Sequence, residues 1–331
     1  MTEPSPHPLP PDSPPDVLEL SDASPSRSVP AFPHRPPPHP AARLRSWSLP
    51  LVLFGLTCLS TLWSGAFTNS RLDLTPWIDW GVADLTMLAV SRWDMGLEYM
   101  LAIMGILLAH EMGHFLTARW YHIPASLPYF IPMPLSPFGT MGALILMRGN
   151  QANRRELFDV GLAGPVAGLV VCLPVLYWGV QQAVPDPQPM IVFHHPLLLK
   201  GMIAWLRPDL AGKPLVMSPL LMAGWLGLLI TGLNMLPVSQ LDGGHVCYAL
   251  LGRRAHLVAL GLFAAGVAFM LVAQHYVWLL LLVLILLLGI RHPPTRDDSV
   301  PLGVFRLVVG WLSLLLPVLC FNPMGVTFQN M

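Results

Sequence analysis

The stretch Ala109-His110-Glu111-Met112-Gly113-His114-Phe115 interrupts an otherwise apolar run from Leu97 to Thr117. On an α-helix, residues four apart share a face, so His110 and His114 present two imidazoles to a common point about a turn apart. That spacing suits two ligands of a tetrahedral zinc, and Glu111 lies beside them as a general base for a water. A charged group near the centre of a membrane-length helix costs on the order of 2.5–3.5 kcal/mol to insert, so it needs a purpose there. The pattern reads as a metal site inside a membrane.

Composition supports the membrane half of that reading. Charged residues make up 11% of the chain and hydrophobic ones 54%, whereas a soluble domain carries roughly 25% charged residues. The formal net charge is zero, which removes any global electrostatic case for a nucleic-acid partner and leaves the lipid bilayer as the expected surroundings. Cys58, Cys172, Cys247 and Cys320 each fall in or next to an apolar run, with no CxxC pair. They read as small buried apolar residues.

Residues 1–46 are rich in Pro, Ser and His, with no apolar run. Proline fixes φ and removes donors, so this tail is expected to be disordered, with polyproline II character. The first spanning run is Leu49 to Phe67, followed by a polar connection at 68–96 and then by the histidine helix. Prolines 124, 128, 132, 134 and 137 forbid a helix next, and the Gly-bounded run from Gly139 to Met147 suits a short strand or hairpin. Non-helical backbone at membrane depth survives only when buried in protein or lining a cavity, so this segment either lies against the site or is an ordinary interfacial loop.

A third span from Leu157 to Val180 carries Gly161, Gly164-Pro165 and Gly168, small residues that allow close helix approach. The connection 181–216 reads as extramembrane, a fourth span covers Met217 to Leu233, and further spans are expected at 256–273, 276–290 and 303–320. The expected fold class is an all-α polytopic membrane protein of about seven transmembrane helices, with one short hairpin near the site. Its divisions are a tail (1–46), a membrane-embedded core (47–252) and additional C-terminal helices (253–331).

Lys and Arg give the orientation. With a cytoplasmic N-terminus, that side carries Arg27, Arg35, Arg43, Arg45, Arg119, Arg148, Arg154, Arg155, Arg253, Arg254, Arg291, Arg296 and Arg306. The other side keeps only Arg71, Arg92, Lys200, Arg207 and Lys213. The bias favours seven spans with the C-terminus outside. His110 then lies roughly 18 Å along the second span, and Asn234 roughly 24 Å along the fourth, at 1.5 Å per residue. Both fall in the cytoplasmic half of the bilayer.

The fourth span ends in Asn234-Met-Leu-Pro-Val-Ser-Gln-Leu-Asp-Gly-Gly-His245, where Pro237 and Gly243-Gly244 are expected to break the helix. Asp242 is the natural third ligand, since an anionic oxygen completes a two-His-one-carboxylate site with a fourth position open to water. His245 competes for the role. Asn234 offers an amide that could stabilise an oxyanion, or merely cap its helix.

His-Glu-Met-Gly-His at 110–114 and the motif at 234–245 together resemble the intramembrane zinc metalloproteases of the site-2 protease family. Gly164-Pro-Val-Ala-Gly168 and Gly139-Thr-Met-Gly142 look like further family features, so the resemblance covers about Leu97 to Leu250. It implies one zinc bound by His110, His114 and Asp242, water activation by Glu111 and, less directly, substrate or oxyanion contact by Asn234. It also implies membrane-protein substrates. The short 181–216 connection leaves no room for the PDZ domain that some members carry between the corresponding spans.

Two other readings use the same residues. A metalloprotease with a distant Glu ligand on a soluble domain lacks that domain here. A membrane zinc transporter must release its metal and has no need of a base beside the ligands, so Glu111 argues against it.

Overall fold

The structure, a computed structural model, describes residues 40–67, 90–147, 151–189 and 191–328. The tail expectation for 1–39 and most of the connection 68–96 lie outside those residues. Helix α1 spans Pro40–Phe67, beginning inside the stretch read as tail. Proline is tolerated at a helix start, where its missing N–H has no intrahelical partner anyway. Then come α2 (Trp93–Trp120), β1 (Tyr129–Met133), β2 (Gly139–Leu144), α3 (Arg154–Gln181), β3 (Ile191–Phe193), α4 (Leu197–Leu206) and α5 (Pro219–Asn234). The chain ends in α6 (Asp242–Leu251), α7 (Ala255–Ala273), α8 (Leu279–Leu288), α9 (Val304–Ser313), α10 (Leu316–Cys320) and β4 (Val326–Phe328).

Local chemistry sets the helix starts. Asn153 accepts from the N–H groups of Arg155 and Glu156, while the Glu156 carboxylate accepts from the Asn153 N–H, a reciprocal cap that starts α3. Ser218 caps α5, with Pro219 in its first turn.

Four helices are long and apolar enough to cross a membrane: Trp47–Ala66, Trp93–Trp120, Arg154–Gln181 and Asp242–Ala273. The other apolar helices, Leu197–Leu206, Pro219–Asn234, Tyr276–Leu287 and Val304–Cys320, are shorter. The expectation of about seven spans is met only by counting short helices, because breaks at Met235–Leu241 and near Gly289 cut the apolar runs. One break is also misplaced. Gly243 and Gly244 do not end a helix but open α6, where a Cβ on either would collide with backbone oxygens of Met235 or Ser239. The glycines let α6 start tight against the turn that Pro237 forces.

The all-α expectation, which allowed one hairpin, needs correction as well, since the described residues include a second antiparallel two-stranded sheet, β3–β4, besides the expected hairpin β1–β2. β1 pairs with β2 from Tyr129↔Leu144 to Met133↔Gly139, with a register irregularity between Phe130 and Pro132. β3–β4 joins the 181–216 connection to the C-terminal end of the described chain, and strands of three residues are too short to leave a period. Helix α4 was not expected in that connection either.

The core lies between α2, α3 and α5. Tyr99, Ile103, Ile106 and Leu107 meet Cys172 and Leu176 of α3 and Leu221, Trp225 and Leu228 of α5, all buried. Apolar lipid supplies little drive for such contacts, so close packing carries them. The β1–β2 turn is held from two helices. Ser60 and Ser64 donate to the carbonyls of Gly139 (2.6 Å) and Ser136 (3.0 Å), and Tyr99 donates to Phe138 (2.9 Å). These side-chain donors add to the turn's own backbone bond from the Gly139 N–H to the Ser136 carbonyl. Gly139 takes a positive φ of 71° there, open to glycine at little cost. The four cysteines are free thiols, and Cys172, Cys247 and Cys320 are buried.

Candidate metal centre

α2 carries His110 and His114 on one face, and α6 brings Asp242 to them from the far side of the Met235–Leu241 turn. His110 Nε2 lies 3.2 Å from Asp242 Oδ2, His114 Nε2 lies 3.3 Å from Asp242 Oδ1, and the two Nε2 atoms are 3.2 Å apart. His110 is 2% exposed and Glu111 5%. Room for the rings comes from α3. Gly164 faces the His114 ring, Gly168 faces His110 and Gly161 faces His245, so the three glycines of one helix stripe accommodate three histidines.

Tautomer chemistry tests whether this triangle suits a cation. The Val160 carbonyl can only accept, so His114 donates from Nδ1 to it across 2.8 Å. A neutral His114 then has a bare lone pair on Nε2. That lone pair faces a carboxylate oxygen and another imidazole nitrogen, an arrangement that a cation among them relieves. Ligand atoms about 2.0–2.1 Å from a tetrahedral zinc lie about 3.3 Å from one another, close to the three separations here. The donor set, two imidazoles and a carboxylate, fits zinc, and the Val160 contact is of the kind that orients a metal-bound histidine.

Glu111 is buried beside the triangle and lines the same cavity of about 350 Å³. Asn234, the last residue of α5, brings its amide Nδ2 to 3.3 Å from His110 Nε2. His245 also lines the cavity but lies outside the triangle, its Nδ1 2.7 Å from His292 Nε2. The structure thus brings together His110, His114, Asp242, Glu111 and Asn234, and turns His245 toward another partner.

The opposite wall is the end of the hairpin, residues 143–145 and Met147. His292 and Pro293, between α8 and α9, line the cavity as well. Sequence reasoning missed His292, because a His-Pro pair after an apolar run carries no spacing that points back to the site. A larger open groove of about 520 Å³ lies between α2, α3 and α9. Its charged groups are committed to one another, Arg306 bridging Asp159 with Tyr121 donating to the same carboxylate.

Residues 98–273 match the peptidase family M50. The chain belongs to that family, the site-2 proteases its motifs resemble. The match runs from α2 through α7 and leaves out α1, α8, the His292 segment and all that follows. Probable zinc metalloprotease EGY2, chloroplastic, of Oryza sativa subsp. indica is 31% identical over 242 residues, 68% of this chain and 43% of the relative. Probable zinc metalloprotease EGY1, chloroplastic, of Arabidopsis thaliana is 32% identical over 249 residues, 70% of this chain and 43% of the relative. The Arabidopsis thaliana EGY2 protein is 28% identical over 285 residues, 84% and 49%. The chain spans less than half the length of these relatives. No solved structure matches it significantly. Among the described residues, the M50 core here carries no PDZ domain between α3 and α5, only β3, α4 and turns.

Proposed function

We propose that the protein is a zinc metalloendopeptidase that cleaves membrane-protein substrates within or near their transmembrane segments. The observation that carries this reading is the convergence of His110, His114 and Asp242 in one buried cavity with Glu111. Membership of the M50 family and the relatives named as probable zinc metalloproteases support it. Placement in a bilayer as a multi-pass protein is supported by the four long apolar helices.

In this proposal His110, His114 and Asp242 would hold one zinc, which would supply Lewis acidity toward a water and a peptide carbonyl. Glu111 takes a proton from the attacking water and returns it to the leaving amine nitrogen. Asn234 donates from its amide toward the carbonyl oxygen as charge develops there. A helical substrate hides its scissile carbonyl in an i to i−4 bond, so it enters as an unwound strand. Residues 143–145 and Met147 line the cavity and offer that strand an edge to pair with.

The finer topology is part of the proposal: seven spans with a cytoplasmic N-terminus and the C-terminus outside, on the Lys and Arg asymmetry. So is the division into a tail (1–46), a protease core (47–252) and C-terminal helices (253–331).

The deciding experiment compares membrane proteomes of cells carrying the active protein and Glu111→Gln. Substrate fragments present with the first and absent with the second support proteolysis. Equal proteomes, together with metal flux in vesicles that survives Glu111→Gln, would favour transport instead.

A further inference from the structure

The segment between α8 and α9 closes the cavity with a histidine that zinc chemistry does not use. His292 is 7% exposed. Its Nδ1 lies 2.5 Å from the Pro293 carbonyl oxygen, which can only accept, so the ring hydrogen sits on Nδ1. Burial pushes the His292 pKa down, in the direction of the neutral ring. A neutral imidazole has one N–H, so His292 Nε2 is an acceptor, and His245 donates to it from Nδ1 across 2.7 Å. With its hydrogen on Nδ1, a neutral His245 keeps a lone pair on Nε2.

Both rings are held firmly. Tyr248 stacks on His292 with centroids 4.5 Å apart and planes 22° off parallel, and its hydroxyl donates to Asp298. His256 donates from Nε2 to the His292 carbonyl at 3.2 Å. Backbone bonds from Arg296 to Ala152 and from Arg154 to Asp297 tie the segment to the start of α3. Gly161 packs against the His245 Cβ. Both rings line the cavity outside the ligand triangle.

An extended peptide presents N–H groups alternately to its two sides. Those facing residues 143–147 find strand partners, and those facing α6 need acceptors, because an unsatisfied N–H in a low-dielectric site is costly. We propose that His245, aligned by His292, holds substrate by accepting a hydrogen bond on Nε2 from a backbone N–H of the bound strand. His292 is its positioning residue, supplied by a segment outside the M50 match. This inference rests on the protease reading above.

The test uses the full chain in nanodiscs with zinc bound, in a Glu111→Gln background that keeps substrate uncleaved. The probe is a transmembrane peptide that the wild-type protein cleaves. His292→Phe keeps the stack on Tyr248 but removes the acceptor, and His292→Gln restores an acceptor oxygen. The expected result is about tenfold weaker peptide binding for His292→Phe, near-parental binding for His292→Gln, and unchanged zinc content for both. Parental binding by His292→Phe would overturn the proposal, as would a loss of binding accompanied by loss of zinc. Equal losses in both variants would also overturn it, marking a packing role. If no peptide is cleaved by wild type in a Glu111-dependent way, the protease reading itself fails, and that outcome is distinct from any of these.

Discussion

His114 donates from Nδ1 to the Val160 carbonyl across 2.8 Å, so an ordinary backbone group of α3 decides which nitrogen of this imidazole faces Asp242. The helix supplying that carbonyl also supplies the space for the ring, at Gly164. Spacing between α2 and α3 therefore sets the orientation of the His114 ring directly.

A methyl group at 164 should accordingly be worse than one at 168. A Cβ on Gly164 collides with the His114 ring, whereas a Cβ on Gly168 meets His110 at 3.1–3.2 Å, a gap that small shifts can absorb. Gly164→Ala is expected to lower zinc affinity by about 10–100-fold, the usual cost of disturbing a ligand's support, and Gly168→Ala by much less. Competition with a chelator, read as zinc retained per chain, measures both. Equal retention would mean that α3 yields more easily than its packing implies.

For Asn234, proximity to His110 Nε2 favours a part in the chemistry over a mere helix end. Asn234→Ala should reduce turnover by roughly 10²–10³, the cost of losing an oxyanion donor, with zinc content unchanged. Cleavage rate, zinc stoichiometry and melting temperature on a single preparation decide the matter. A destabilised but fully active variant would return Asn234 to a capping role.

What the sequence made legible was whatever helical or strand periodicity enforces. His110 and His114 at i and i+4, the apolar lengths of α2 and α3, and the Gly161/Gly164/Gly168 stripe all follow from 3.6 residues per turn. The Gly-bounded run after five prolines had to be non-helical, and it forms β2. Asp242 was reached by depth reasoning, and the structure places it against both histidines. Long-range pairings left no such trace. Nothing near His292 announces that it meets His245, and nothing in Asp159 names Arg306 as its partner. The Gly243-Gly244 pair was misplaced because glycine marks both breaks and tight approaches, and only the position of Met235 distinguishes them.

Acidification should weaken the face of the protein that carries β3. Burial, aided by nearby Lys200 and His194, pushes the His195 pKa down to about 4, and its Nδ1 has no hydrogen-bond partner among the described residues. Between the ordinary histidine value of about 6.5 and that lower value, the unfolded chain binds a proton that the fold refuses, so stability falls as pH drops through this window. Replacing His195 with Leu should flatten the decline in melting temperature between about pH 6.5 and 4 relative to wild type. Parallel curves for the two proteins would show that another group sets the slope.

The last prediction concerns how the helices outside the family match are tied to the core. Arg306 of α9 makes two bonds to Asp159 of α3, at 2.7 and 2.8 Å, and Tyr121 donates to the same carboxylate at 2.6 Å. Both charged side chains are partly buried, 29% and 20% exposed, at the edge of an apolar groove. Removing one partner leaves the other desolvated and unpaired, which is costlier than removing both. Arg306→Met should therefore lower the melting temperature more than the double variant Arg306→Met/Asp159→Leu, with a coupling energy of roughly 0.5–3 kcal/mol. The full cycle, including Asp159→Leu alone, is read by thermal unfolding in detergent. Additive losses would mean that the pair is solvated and that apolar packing of Phe158 and Leu250 on Gly310 holds α9 in place.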